Sequence, residues 1–295
     1  MNWEEWRDRW PHAERSRFVD VGPYRWHVQR MGDGPDLLLL HGAGGATHSW
    51  RGLMPLLADR YRCTALDLPG HGFTNRVPGR SGLEEMVADL RALLAALDLR
   101  PAALVGHSAG AAIALRMAQG DPVPVASLNG AFAMFDGPAR WLFPLIAKGL
   151  AFNPLTVPLF RATATKARIR RMLEGTGSRI DAEGLRLYTA LISDHDHVAG
   201  TLAKMASWRL EPLHDAAPAT DAPVLMLVSD RDRTVPPRVS RAMATKLPRA
   251  AVEMMPGTGH LAHEEAPDRV AGALLPWLGE VVPQLPSSPN CARKA

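Results

Sequence analysis

A chain of 295 residues with 46% hydrophobic and 22% charged residues can bury one substantial core, or a core with a smaller inserted lobe. Its 34 Lys and Arg against 30 Asp and Glu leave a formal charge of +4, and the basic residues are scattered, which argues against nucleic-acid binding. With only Cys63 and Cys291, neither a disulfide framework nor a metal cluster is expected, and a reducing, cytoplasmic setting fits.

The first residues, Met1-Asn2-Trp3-Glu4-Glu5-Trp6-Arg7-Asp8, are too charged for a secretory apolar region. Alternating apolar residues over 18–31, with Gly22-Pro23 between them, predict an antiparallel hairpin. The run Leu37-Leu38-Leu39-Leu40 predicts a buried strand ending at His41-Gly42. A helix is expected over 50–59, a strand over 61–66, and an amphipathic helix over 83–97. Strands follow at 102–105 and 123–128. This strand–helix alternation predicts a mostly parallel sheet covered on both faces.

The alternation lapses after Asn129-Gly130. Residues 136–212 carry helical patterns rich in Pro, Arg and Met, with no convincing strand. It resumes with strands at 224–228 and 251–255 and helices over 236–247 and 266–281. The expected organisation is an α/β core over 1–135 and 213–282, a helical cap over 136–212, and a disordered tail over 283–295. Within the cap, 141–160 is the most apolar stretch, but Lys148, Asn153 and three prolines exclude a transmembrane span. Packing on the core accounts for many of its apolar residues. A surplus, with Trp141, Phe143 and Ile146 foremost, would line a ligand pocket or rest on a membrane surface.

The chemistry centres on Gly106-His107-Ser108-Ala109-Gly110, between the strand at 102–105 and an Ala-rich helix. That strand, sharp turn and helix form a nucleophile elbow, which exposes a serine hydroxyl to a base. The acid is expected after the strand at 224–228, where Asp230 and Asp232 compete. Asp232 lies farther out on its loop, and Asp230 suits the turn. The end of the 123–128 strand holds Asn129, which carries no charge, and Asp136 is a remote alternative. The base is expected in Pro256-Gly257-Thr258-Gly259-His260. Nucleophile, acid and base in this order give a Ser108-Asp232-His260 triad.

The oxyanion donors would be the backbone N–H groups of Ala109 and of Ala43, in His41-Gly42-Ala43-Gly44-Gly45. Neither a Gly-x-Gly-x-x-Gly fingerprint nor a Walker lysine is present, and no cofactor or metal site is expected. His195 and His197, in Asp194-His195-Asp196-His197, are expected on a solvated loop. Arg168, Arg170 and Arg171 are expected on a solvated helix face.

Together these motifs resemble the α/β-hydrolase superfamily across residues 18–282. Its landmarks are His41-Gly42, Asp67-Leu68-Pro69-Gly70-His71-Gly72, the elbow and Gly259-His260. The resemblance implies an eight-stranded, mostly parallel sheet with a helical cap insertion. Members that use aspartate at the elbow, such as haloalkane dehalogenases and epoxide hydrolases, are disfavoured by Ser108. A narrower resemblance rests on Trp10-Pro11-His12, Ser16-Arg17-Phe18-Val19, Trp26-His27-Val28-Gln29-Arg30, residues 41–50, Ser127-Leu128-Asn129-Gly130-Ala131 and Gly175-Thr176-Gly177-Ser178. These look like the magnesium-chelatase accessory family (BchO type) of bacteriochlorophyll biosynthesis. That likeness implies a role around magnesium insertion into protoporphyrin IX, with a tetrapyrrole ligand and magnesium-chelatase subunits as partners. Three functions follow: a serine hydrolase of that pathway acting on an ester-like bond, a non-catalytic porphyrin- or chelatase-binding accessory, and a general carboxylesterase.

Overall fold

A computed structural model describes residues 1–133, 149, 153 and 155–282. Eight strands form one sheet in the order β1-β2-β4-β3-β5-β6-β7-β8. The hairpin is β1 (Ser16–Val21) and β2 (Tyr24–Met31), turning at Gly22-Pro23. Then come β3 (Asp36–Leu40), β4 (Arg62–Leu66), β5 (Ala103–His107), β6 (Val125–Leu128), β7 (Val224–Ser229) and β8 (Ala250–Met255). Among the described residues only β1–β2 and β2–β4 are antiparallel; the neighbours from β4 through β3 to β8 pair in parallel. This is the α/β-hydrolase fold.

Alternation along the strands divides the core into two layers. Leu38 and Leu40 of β3 pack with helices α3 (Leu83–Ala96) and α4 (Ala109–Ala118). Leu37 and Leu39 face the other side, against α2 (Leu53–Ala58) and the C-terminal helix 267–281. All four leucines are fully buried, as a strand covered on both faces requires.

The described part of the segment between β6 and β7 is helical: α5 (Thr156–Thr163), α6 (Lys166–Gly175), α7 (Ala182–Ser193), α8 (His195–Ser207) and α9 (Glu211–Ala216). Ile169, Leu173, Leu185, Tyr188 and Leu191 share a third buried cluster with Ala46, Phe73 and Leu261, from loops that follow β3, β4 and β8. These helices therefore lie over the C-terminal ends of the strands. Arg168, Arg170 and Arg171 of α6 are solvent-exposed, as expected. The remaining helices are α10 (Pro237–Ala244), α11 (Ala262–Glu265) and α12 (Pro267–Val281). A short α1 (Trp3–Trp6) leads to Trp10, which is buried against Phe73 and donates from its indole to Thr47 at 3.0 Å.

Asp67, at the end of β4, knits this end together. It accepts from Thr47 N–H at 2.6 Å, Phe73 N–H at 2.9 Å and His27 Nδ1 at 2.7 Å. Burial alone would raise its pKa, but the His27 charge and these hydrogen bonds outweigh it and bring the carboxyl to about 2. A carboxyl depressed on folding stabilises in its ionised form. Its contribution is full above the unfolded value, about 4, and is lost as pH falls toward 2. Asp67→Asn is expected to cost about 3 kcal/mol in a denaturant titration at neutral pH. The gap from wild type should narrow as pH falls from 4 toward 2.

Candidate active site

Ser108 sits between β5 and α4 at φ 51° and ψ −115°, a conformation that a non-glycine residue rarely adopts. Such strain costs about 1–3 kcal/mol and persists only where surrounding bonds fix it. Ser108 N–H donates to Leu128 O at 3.0 Å, and its carbonyl accepts from Ala111 and Ala131 N–H. The flanking glycines are obligatory on packing grounds. A Cβ on Gly106 would stand 2.5 Å from Ala111 Cα, and one on Gly110 would stand 2.0 Å from Leu40 O. Both obstacles are backbone atoms that cannot rotate away. Gly110→Ala should therefore destabilise the fold by about 4 kcal/mol or more, seen as loss of soluble protein or a large fall in Tm.

Asp232 and His260 meet although 28 residues separate them. His260 Nδ1 donates to Asp232 Oδ2 at 2.7 Å. Asp232 Oδ1 accepts from the N–H groups of Thr234 and Val235, each at 2.8 Å. The carboxylate is thus fixed on both oxygens, and the imidazole is held with its proton on Nδ1 and Nε2 as the basic nitrogen. Asp230 instead accepts from Gly257 N–H at 2.7 Å, the turn-forming role its position suggests. Ser108, Asp232 and His260 are 8%, 5% and 6% exposed, so all three sit at the edge of the interior rather than on a free surface.

The loop after β3 approaches the elbow closely. A Cβ on Gly42 would lie 3.0 Å from Ser108 Cβ and 2.7 Å from His107 Nδ1. Ala43, next in the loop, is exposed. Ala109 is the first residue of α4, where a backbone N–H has no acceptor within its own helix.

Other residues hold this arrangement from behind. His107 Nε2 donates to His260 O at 2.9 Å, and its ring lies 4.7 Å from the His260 ring. Burial, then the charges of His263 and His260, keep His107 well below the usual histidine pKa. Asn129, the uncharged residue after β6, adopts φ 49°. Its amide donates to Ser229 Oγ, Gly259 O and His260 O, and its carbonyl accepts from Ser229 N–H. It clamps the acid-bearing strand to the base-bearing loop. The Thr176-Gly177-Ser178 turn does the same from the helical side. Thr176 O accepts from Arg233 N–H and from His260 N–H, and Ser178 Oγ accepts from Leu261 N–H. A Cβ on Gly177 would lie 1.9 Å from Arg231 O, so this turn is seated directly on the Asp232 loop.

One histidine departs from expectation. His195 is exposed, but His197 is buried on helix α8 instead of standing on a solvated loop. Its Nδ1 accepts from Gly72 N–H at 3.1 Å and its Nε2 donates to Gly44 O at 3.2 Å, so it pins two site loops together. The polar Asp194-His195-Asp196-His197 run is an N-cap and first turn, with Asp194 accepting from His197 N–H. Trp141, Phe143, Ile146, Asp136 and the tail 283–295 lie outside the described residues. Among the described residues no group of three His, Cys, Asp or Glu converges as metal ligands.

A strand-end serine at a strained turn, a carboxylate-oriented histidine and a glycine loop against the serine form a recurrent constellation. The model of the alpha/beta hydrolase family matches residues 37–273. The chain belongs to that family. A magnesium-chelatase 30 kDa subunit from Rhodobacter capsulatus is 46% identical over 274 residues, covering 91% of this chain and 96% of that protein. A dihydrolipoyllysine-residue acetyltransferase component of the acetoin cleaving system from Pseudomonas putida is 31% identical over 86% of this chain and 66% of its own length. Among solved structures, an esterase from Exiguobacterium antarcticum superposes with a TM-score of 0.74 over 89% of this chain and 98% of that one, at 17% identity. That likeness speaks to the hydrolase fold alone.

Proposed function

We propose that this protein is a capped serine hydrolase of bacteriochlorophyll biosynthesis, accessory to magnesium insertion into protoporphyrin IX. It acts on an ester-like bond through an acyl-enzyme. The observation that carries the chemistry is the Asp232–His260 hydrogen bond, which leaves the His260 Nε2 lone pair as the base in the loop packed on the Ser108 elbow. The 46% identity to a chelatase subunit over 91% of the chain supports the pathway role.

Ser108 Oγ attacks the acyl carbon while His260 Nε2 takes its proton. The tetrahedral oxyanion receives hydrogen bonds from the N–H groups of Ala43 and Ala109. Collapse breaks the bond to the leaving oxygen, which takes the proton back from His260. Water then repeats the sequence on the acyl-enzyme and frees Ser108. Asp232 holds the tautomer and stabilises the imidazolium throughout.

In this reading the described helices between β6 and β7 cap the site, and the ligand is apolar and tetrapyrrole-sized. Magnesium-chelatase subunits are the partners, and the setting is the cytoplasm. Peripheral membrane contact is supported by Leu155 and Leu159, 70% and 65% exposed on and beside α5. Among the described residues no helix is long and apolar enough to cross a membrane.

A second reading, a non-catalytic accessory that binds porphyrin or chelatase on a hydrolase scaffold, is favoured by that relative being a magnesium-chelatase subunit. Complementation separates them. In cells lacking the native protein, wild type should restore pigment and Ser108→Ala should not. Full restoration by a stably folded Ser108→Ala would favour the binding role. Restoration by neither would leave a general carboxylesterase as the surviving hydrolase.

A further inference from the structure

Helix α8 turns one side toward the site loops. His197, Gly200, Thr201 and Lys204 follow the i, i+3, i+4, i+7 spacing of a single helical face. His197 bridges Gly44 and Gly72. A Cβ on Gly200 would stand 2.0 Å from Gly70 O, and Thr201 Cγ2 is the nearest atom to a Cβ built on Gly44. Lys204 continues that face by one turn.

Its side chain is 1% exposed, and among the described residues its Nζ has no hydrogen-bond partner. Burial, then the Lys204 charge, lowers the His41 pKa to about 3 and holds His71 well below its usual value. The ammonium therefore lies near both site loops, with Nζ 5.7 Å from the Trp208 ring. The histidines offer it no neutralisation. His41 Nδ1 donates to Gly42 O, and its Nε2 already accepts from Leu68 N–H. His71 Nδ1 donates to Pro69 O, leaving Nε2 as a second unpartnered buried atom in the same cluster.

A buried lysine whose amine has no acceptor is a costly way to fill an interior that methionine would fill without desolvating a polar head. Contact with Trp208 attracts the cation but gives its three N–H donors no oxygen acceptor. A bridging water would satisfy a donor but supply no counter-charge to the protonated form. Perturbed, unpaired groups of this kind collect at ligand sites.

We propose that Lys204 anchors a carboxylate of the substrate beside the loop that carries Ala43, so that the preferred substrates are esters bearing a free acid group. The bond broken rests on the serine-hydrolase reading; the anion site does not. Burial brings the Lys204 pKa down to about 7, and an arriving carboxylate favours the charged form, which reinforces its own binding.

The experiment compares wild type, Lys204→Met and Lys204→Arg. Succinate is titrated against tryptophan fluorescence, and kcat/KM is measured for the 4-nitrophenyl monoester of succinate and for 4-nitrophenyl butyrate. Saturable succinate binding is expected in wild type and at least tenfold weaker binding in Lys204→Met, with partial recovery in Lys204→Arg. The succinate-to-butyrate ratio of kcat/KM should fall at least tenfold in Lys204→Met. Removing an unpaired buried charge should also raise its Tm. No saturable binding in wild type, equal affinities in wild type and Lys204→Met, or a Tm lowered by Lys204→Met would overturn the proposal. Succinate binding through Lys204 without hydrolysis of either ester would sink the hydrolase reading and leave the anion site standing.

Discussion

Ser108→Ala is expected to lower the hydrolysis of 4-nitrophenyl esters by about 10⁶-fold, to the rate left by binding and oxyanion donors alone. The size follows from the cooperation of the parts. Without the hydroxyl, the His260 base has no nucleophile to activate, and no acyl-enzyme can form. Alanine removes one buried oxygen and no backbone bond, because the elbow is held through Ser108 N–H and C=O. The variant should therefore fold with an unchanged Tm. Residual activity within tenfold of wild type would mean that another group does the chemistry.

The second large effect is expected for Asp232→Asn. The amide keeps the shape of the carboxylate, and its oxygen can still accept from Thr234 and Val235 N–H. Its NH₂ group, however, would face His260 Nδ1 and favour the tautomer that puts the proton on Nε2. The base would then present a proton where a lone pair is needed, and the imidazolium would lose its counter-charge. A loss of about 10⁴ in kcat is expected, with little change in KM. A loss confined to KM would show that Asp232 serves binding rather than the proton transfer.

The elbow was legible in the sequence because its requirements are local: an apolar strand, two glycines around a serine and an alanine-rich helix. The pairing of Asp232 with His260 was legible because chain order and strand ends restrict where the two can lie. The strand assignments survived within one or two residues, since Leu37–Leu40 and the strand at 224–228 are covered on both faces and read as unbroken apolar runs. The helix expected over 50–59 is shorter, Leu53–Ala58, because Trp50 closes a separate short turn that begins at Thr47.

What the sequence concealed depends on distant partners. Asn129 lacks charge, so its value appears only when the Ser229 strand and the His260 loop, 100 and 131 residues away, converge on its amide. His197 sits in a polar run with the composition of a surface loop, yet its partners Gly44 and Gly72 are 153 and 125 residues distant. Thr176-Gly177-Ser178 carried a resemblance without an evident role until Gly177 came against Arg231. Trp10 likewise carried part of that resemblance without an evident role until Phe73 came against it. In each case one local pattern permits several environments, and only tertiary packing selects among them.

The central claim is that Ser108 is an activated nucleophile. Labelling of the intact protein with a fluorophosphonate probe tests it directly, with the adduct located by peptide mass. Wild type should take up one probe on the peptide containing Ser108, Asp232→Asn should label far more slowly, and Ser108→Ala should not label. An unlabelled, folded wild type, or equal labelling of wild type and Ser108→Ala, would contradict the account.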